Sequence, residues 1–345
     1  MECQEAKNLV VKAGVELVQS GLIARTWGNV SCRIDEDVFV ITPSGRDYLS
    51  LSAEDIVEVK IKDLTYTGMI KPSSEKGIHA EVYRQFPEIN FVIHTHQENA
   101  SAISAIGLDS IPLSKHEFIF SKENFSEGIL CAKYALPGTN ALRRNVAAAL
   151  KKTKSNAIIL KHHGTLCFGI DYEVTFEVAH DLEKICRDFI AEKSRLVTNE
   201  QNHDHTSTMA LLENRKYEVL EKKGGYVVLN ADPDVMRYSH MTKALKPFLD
   251  DFAQIVGRKV KVTKNKKRSV SQALQHASAV FIKDEGALCW GRDSNDAVAV
   301  SMIVRKNCKA YFAASLFEKV KPISMMECVL MRFVYLNKYS KISEK

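Results

Sequence analysis

Two histidines one residue apart, His94 and His96, close the apolar run Asn90-Phe-Val-Ile-His-Thr-His. Such a run reads as a strand, and on a strand the side chains at i and i+2 share a face. Paired imidazoles at the end of a buried strand are ready-made metal ligands. A third imidazole follows a second apolar run, Ala157-Ile-Ile-Leu, within Lys161-His-His-Gly. Of its two histidines His163 is favoured. It directly precedes Gly164, whose missing side chain permits close approach, whereas His162 points elsewhere on an extended segment. Three neutral imidazoles around one Zn²⁺ per chain leave coordination positions open, which is how catalytic zinc sites are built. Taken alone, His94 and His96 could instead be a pair of satisfied core histidines, the less favoured reading; His163 after a second strand weakens it further.

A carboxylate stands in Lys71-Pro-Ser-Ser-Glu-Lys-Gly-Ile-His. Ser73 or Ser74 can cap a following helix. Glu75 then lies in its first turn and His79 one turn further along the same face. A carboxylate beside a dication can move a proton to and from a carbon whose anion the metal stabilises. A first-turn acid is also an ordinary helix feature, so both readings stay open. The loops Gly28-Asn-Val-Ser and Thr42-Pro-Ser-Gly, with Ser73-Ser74 at a helix start, offer donors that can cradle a phosphate. Each alone is weak, since Pro-Ser-Gly is usually a turn. Lys71 and Arg25 either add charge there or are solvated.

Positioning these groups takes regular elements. Residues 3–21 have helical periodicity, with Leu9, Val10, Ala13, Leu17 and Val18 on one side and Gly21 as the stop. Strands follow over Asn29–Ile34 and Val38–Ile41, and helices alternate with strands to about residue 196. The polar stretch Thr198–Ser207 reads as a linker. Beyond it the chain repeats itself. Ala157-Ile-Ile-Leu-Lys-His-His-Gly-Thr-Leu-Cys-Phe-Gly aligns without a gap with Ala279-Val-Phe-Ile-Lys-Asp-Glu-Gly-Ala-Leu-Cys-Trp-Gly, at an offset of 122 residues. The register continues through Asp171/Asp293, Val178/Val300, Lys184/Lys306, Cys186/Cys308 and Ala191/Ala313. A duplicated domain is expected. Because His163 aligns with Glu285, the second copy is expected to lack the metal site and to serve packing or assembly. The predicted domains are 1–198 and 209–345.

A chain of 345 residues can build a large core and two domains. Its net charge of +6 permits an anionic small molecule without demanding nucleic acid. The basic run Lys264–Arg268 reads as a solvated loop, lacking aromatic partners or a recognition helix. Eight cysteines scattered mostly in apolar runs read as reduced, which favours the cytoplasm. The N-terminus lacks signal-peptide regions. No apolar run is long enough for a membrane span. Met325–Leu336, interrupted by Glu327 and Arg332, reads as a packed helix.

Taken as a set, Gly28-Asn29, Thr42–Gly45, Ser73-Ser-Glu75, His94-Thr-His96, Tyr134–Thr139 and His163-Gly164 resemble the class II aldolase/adducin family, typified by fuculose-1-phosphate aldolase. They occur in the family's order and at similar spacing, over roughly residues 3–196. The resemblance implies a three-layer α/β/α domain with a mainly antiparallel central sheet, followed here by a truncated, degenerate repeat. It implies zinc on His94, His96 and His163, Glu75 as acid/base, and Asn29, Ser44, Gly45, Ser73 and Ser74 holding a substrate phosphate. The activity implied is that of a class II aldehyde-lyase. It would cleave a ketose 1-phosphate to dihydroxyacetone phosphate and an aldehyde through a metal-stabilised enediolate. A homo-oligomer, dimer or tetramer, is also implied. The family's epimerases carry aspartate at the Glu75 position, which leans towards an aldolase or a dehydratase. A dehydratase or epimerase on this scaffold, and a non-catalytic adducin-like binding protein, are the alternatives. The tyrosine that fuculose phosphate aldolases use as proton donor is missing from His116-Glu-Phe-Ile-Phe-Ser-Lys, where His116 or Glu117 would have to replace it.

Overall fold

The computed structural model describes residues 1–23, 27–113, 124–198, 209–211, 224–318 and 320–339. The chain divides into two compact units, the first running to Ile190 and the second covering Ala191–Ser340.

The first unit runs α1 (Cys3–Gln19), β1 (Gly28–Arg33), β2 (Val38–Ile41), β3 (Val57–Lys60), α2 (Lys76–Gln85), β4 (Phe91–Thr95), α3 (Glu98–Ser104), β5 (Ser110–Ile111), β6 (Ile129–Ala132), α4 (Asn140–Leu150), β7 (Ala157–Leu160), β8 (Thr165–Gly169) and α5 (Tyr172–Thr198). Its strands form one sheet in the order β3-β2-β1-β4-β8-β7-β6-β5. Every neighbouring pair is antiparallel except β6 and β7. The central strands read as continuous apolar runs because helices cover both faces. On α4, Leu142, Val146, Ala149 and Leu150 recur at helical spacing and pack with Ile78 and Val82 of α2 onto Ile41, Val59, Val92, Leu160 and Leu166. Each such fully buried aliphatic side chain contributes about 1.5–3 kcal/mol. Helices α1 and α5 cover the other face, where the Phe91 ring meets Tyr172 edge-on at 5.5 Å. Three α/β/α layers with a mainly antiparallel sheet are therefore present. On β4 the alternation puts Val92 and His94 on the α2 face, and on β1 it puts Asn29 and Ser31 there too.

The second unit contains β9 (Met209–Leu211), β10 (Tyr226–Asn230), α6 (Pro233–Ser239), β11 (Val262–Thr263), α7 (Lys267–Leu274), β12 (Ala279–Ile282), β13 (Gly286–Gly291), α8 (Ser294–Ser315) and α9 (Met325–Val334). Its sheet order is β11-β12-β13-β10-β9, with only β11 and β12 parallel. The strands β6-β7-β8-β4-β1 of the first unit have the same order and the same senses. Helices α4 and α7 join the parallel pairs, and α5 and α8 follow the hairpins.

The hairpins agree at two special backbone positions. His162 (φ 58°) and Asp284 (φ 64°) both adopt the left-handed conformation. A Cβ on Gly164 would lie 2.3 Å from the Thr95 carbonyl oxygen, and one on Gly286 would lie 2.3 Å from that of Asn230. Only glycine lets the turn approach the end of the neighbouring strand this closely. Leu166 faces His94 and Leu288 faces Leu229, so Leu229 occupies in the second sheet the place of His94 in the first.

Helix α5 runs unbroken to Thr198, where the predicted linker begins, and the two compact units divide within it, after Ile190. Most of the predicted linker, residues 199–207, lies outside the described residues. On α9 only Cys328 and Met331 are buried, while Met326 is 85% and Phe333 63% exposed. Apolar residues surround this helix, but among the described residues only one side is covered.

Candidate metal centre

His94 ends β4, wholly buried, on the face covered by α2. Its Nδ1–H donates to the Thr165 carbonyl on β8 at 2.7 Å, which leaves Nε2 as a lone pair. His96 follows two residues on and His163 arrives from the β7–β8 hairpin. The Nε2 atoms of both stand 3.0 Å from His94 Nε2, and each pair of rings has centroids 4.8 Å apart. These three histidines form a group able to hold a metal ion. Lone pairs brought this close repel unless a cation lies between them. Zinc–nitrogen bonds of about 2.0–2.1 Å need ring nitrogens about 3.3 Å apart, so the donor set fits zinc with a slight expansion. His162 turns away and meets Tyr134 edge-on at 5.5 Å.

Glu75 is buried against this cluster, with Oε2 3.1 Å from His94 Nε2 and Oε1 3.4 Å from His163 Nε2. Burial alone pushes its carboxyl up, but in the metal-free cluster positive charge on protonated His163 and His94 outweighs this and holds it well below the ordinary range. Glu75 is the N-cap of α2 and not a first-turn residue. Its side chain makes no cap hydrogen bond, being turned to the imidazoles. The Ser73 hydroxyl accepts from the Glu75 N–H at 3.2 Å, one step ahead of the helix.

Backbone hydrogen bonds lace three loops together. Thr42 N–H donates to the Val30 carbonyl at 3.0 Å, Ser73 N–H to the Thr42 carbonyl at 3.0 Å and Ser44 N–H to the Lys71 carbonyl at 2.9 Å. Asn29, the Ser44-Gly45 turn and Ser73 thus belong to adjoining segments. Ser74 lies beside Gly138. Gly45 has φ 75°, as a turn glycine requires. Arg25, His116 and Glu117 lie outside the described residues.

A second buried set escaped the sequence reading. The wholly buried His79 reaches Ser31 Oγ through Nδ1 at 2.7 Å and Asn29 Oδ1 through Nε2. Ser31 Oγ also meets the Tyr83 hydroxyl at 2.7 Å, and Asn29 Nδ2 donates to Glu75 Oε2 at 3.4 Å. The signal was present in spacing: Glu75, His79 and Tyr83 recur every four residues, and Asn29 and Ser31 every two.

Two expectations follow. Gly164→Ala puts a methyl group against the Thr95 carbonyl, so the hairpin carrying His163 must shift. A loss of about 2–4 kcal/mol in denaturant unfolding, together with weakened metal binding, is expected. Burial, with a smaller contribution from His94 and opposed by Glu75, depresses His79 to about 3. Between its ordinary pKa of about 6.5 and that value the unfolded chain holds one more proton than the folded one. This contribution to stability is therefore complete above about pH 6.5 and is lost as pH falls. Urea midpoints measured at about pH 7 and about pH 5 should differ less in metal-free His79→Gln than in the metal-free parent.

The family model described as Class II Aldolase and Adducin N-terminal domain matches residues 8–190, and the chain belongs to that family. L-fuculose phosphate aldolase of Escherichia coli (strain K12) is 33% identical over 187 residues, 54% of this chain and 83% of that protein. 5-Deoxy-D-ribulose 1-phosphate aldolase of Bacillus thuringiensis serovar kurstaki is 29% identical over 195 residues, 56% of this chain and 88% of that protein. Among solved structures, an L-fuculose 1-phosphate aldolase superposes with a TM-score of 0.50 at 26% identity, covering 58% of this chain and 91% of that one.

Proposed function

We propose that the chain is a zinc-dependent class II aldolase that cleaves a ketose 1-phosphate to dihydroxyacetone phosphate and an aldehyde. The observation carrying this reading is the buried Glu75 carboxylate, 3.1 Å from the nitrogen on which the imidazole cluster converges. His94, His96 and His163 hold one zinc ion per chain. When bound, the ion supplies Lewis acidity for the negative charge that develops on substrate oxygens as a carbon–carbon bond breaks.

The remaining steps belong to side chains of this protein. Asn29, Ser44, Gly45, Ser73 and Ser74 hold the phosphate on adjoining segments, which fixes the distance from that group to the reacting carbons. As the C3–C4 bond breaks, the proton released by the C4 hydroxyl passes to the Glu75 carboxylate, which delivers it to C3 to give dihydroxyacetone phosphate; the reverse direction returns it. The sheet and α2 bury Glu75, so the transfer proceeds away from bulk water.

The second unit is a degenerate copy of the catalytic domain that lacks, among the described residues, a counterpart of the three-histidine group. The shared strand order, the paired left-handed hairpin residues and the leucine in place of His94 support this. The protein works as a homo-oligomer in the cytoplasm. None of its eight cysteines is in a disulfide, which suits a reducing compartment.

Incubating the zinc-loaded protein with a panel of ketose 1-phosphates and analysing the products tests the reaction class. Two carbon fragments are expected. A dehydrated product, an epimer or no turnover would respectively point to a dehydratase, an epimerase or a binding protein.

A further inference from the structure

The buried polar chain behind Glu75 permits only one arrangement of its hydrogens. At its near end the Asn29 amide faces the Glu75 carboxylate at 3.4 Å and the His79 ring on its other side. A carboxylate only accepts, so the Asn29 NH₂ must face Glu75 and the Asn29 carbonyl must face His79. A carbonyl only accepts, so His79 Nε2 must carry a hydrogen. Neutral imidazole has a single N–H, which leaves His79 Nδ1 as an acceptor for the Ser31 hydroxyl at 2.7 Å. With that hydrogen committed, the Ser31 oxygen accepts from the Tyr83 hydroxyl at 2.7 Å. Every bond in the series Tyr83, Ser31, His79, Asn29, Glu75 donates in the same direction. Bonds aligned in this way reinforce one another in a low-dielectric interior.

We infer that His79 is a positioning residue: its Nε2–H pins the Asn29 carbonyl and so keeps the Asn29 N–H aimed at the carboxylate that transfers the proton. Asn29 sits on β1 directly opposite His94 on β4, so the same contact ties the carboxylate to the strand pair carrying the metal ligand. Without it the amide can rotate by half a turn and set its oxygen against the carboxylate, which repels Glu75 from its place. The contribution to proton transfer rests on the aldolase reading. The direction of the hydrogen bonds does not.

The experiment has two arms, both on the intact full-length protein. Nitrogen-15 NMR of the histidine rings at neutral pH reads the tautomer, and the signals missing from His79→Gln identify the residue. A neutral ring protonated at Nε2 is expected; a ring protonated at Nδ1, or at both nitrogens, overturns the proposal. The second arm compares His79→Phe with His79→Gln, each loaded with zinc. Phenylalanine cannot donate, so kcat should fall by about 10–100-fold, with zinc content within about twofold of the parent. The glutamine side-chain amide can donate to Asn29 and should recover kcat to within about threefold of the parent. Equal losses in both variants, or none in either, overturn the positioning role. If His79→Phe does not fold, His79→Gln and the tautomer still decide. A parent protein that cleaves no ketose 1-phosphate defeats the aldolase reading instead, and the NMR arm then tests the hydrogen-bond direction separately.

Discussion

His94→Ala is expected to abolish binding of the divalent ion. Its Nε2 lies 3.0 Å from the corresponding atoms of both other histidines, so it is the hub of the cluster. Its Nδ1–H is held by the Thr165 carbonyl, which orients the ring before any ion arrives. Losing an outer-sphere partner typically weakens a metal by about 10–100-fold, and losing the central ligand should cost more. After dialysis against trace zinc, elemental analysis should find about one equivalent in the parent protein and little in the variant. Because the ring is wholly buried, the variant must first be shown to retain its circular dichroism spectrum. His162→Ala provides the matched control. That side chain sits next in sequence to the proposed ligand His163 but turns to Tyr134, and its removal should leave zinc bound.

Glu75→Gln should separate binding from chemistry. The amide preserves the volume of the side chain and can keep some of its hydrogen bonds, but it cannot accept and return a proton. Loss of a positioned acid/base costs about 10²–10⁴-fold in rate. The fall should appear in kcat with KM changed little, because the missing interaction belongs to the transition state. Zinc content should remain near one equivalent. A variant that turns over at the parent rate removes Glu75 from the mechanism, whereas one that loses zinc as well reassigns it to metal binding.

Much of the site was legible from spacing. His94 and His96 stand two apart at the end of a run buried on both faces, and strand geometry alone sends both rings to one side. Gly164 pointed to His163 over His162, and the 2.3 Å approach to Thr95 gives the steric reason. The antiparallel architecture came from the family resemblance. The repeat offset located the second hairpin, whose left-handed Asp284 answers to His162.

Other features depend on how elements dock. The series Tyr83–Ser31–His79–Asn29 spans β1 and α2, and its hydrogen bonds exist only once the helix settles over that strand. Spacing could nominate these residues without stating that they meet. Glu75 read as a first-turn acid because cap preferences are local, whereas the imidazoles facing it are brought from β4 and the distant hairpin. The polar stretch from Thr198 coincides with the end of α5, whereas the division of the compact units inside that helix leaves no mark in composition. The exposed side of α9 was read as buried because hydropathy does not record which neighbour is present.

X-ray absorption at the zinc edge on the zinc-loaded protein probes the metal centre most directly. About three imidazole nitrogens at about 2.0–2.1 Å, with the outer-shell scattering of imidazole rings, are expected. A shell containing sulfur at about 2.3 Å, or oxygen alone, would show that the ion sits elsewhere and that His94, His96 and His163 do not hold it.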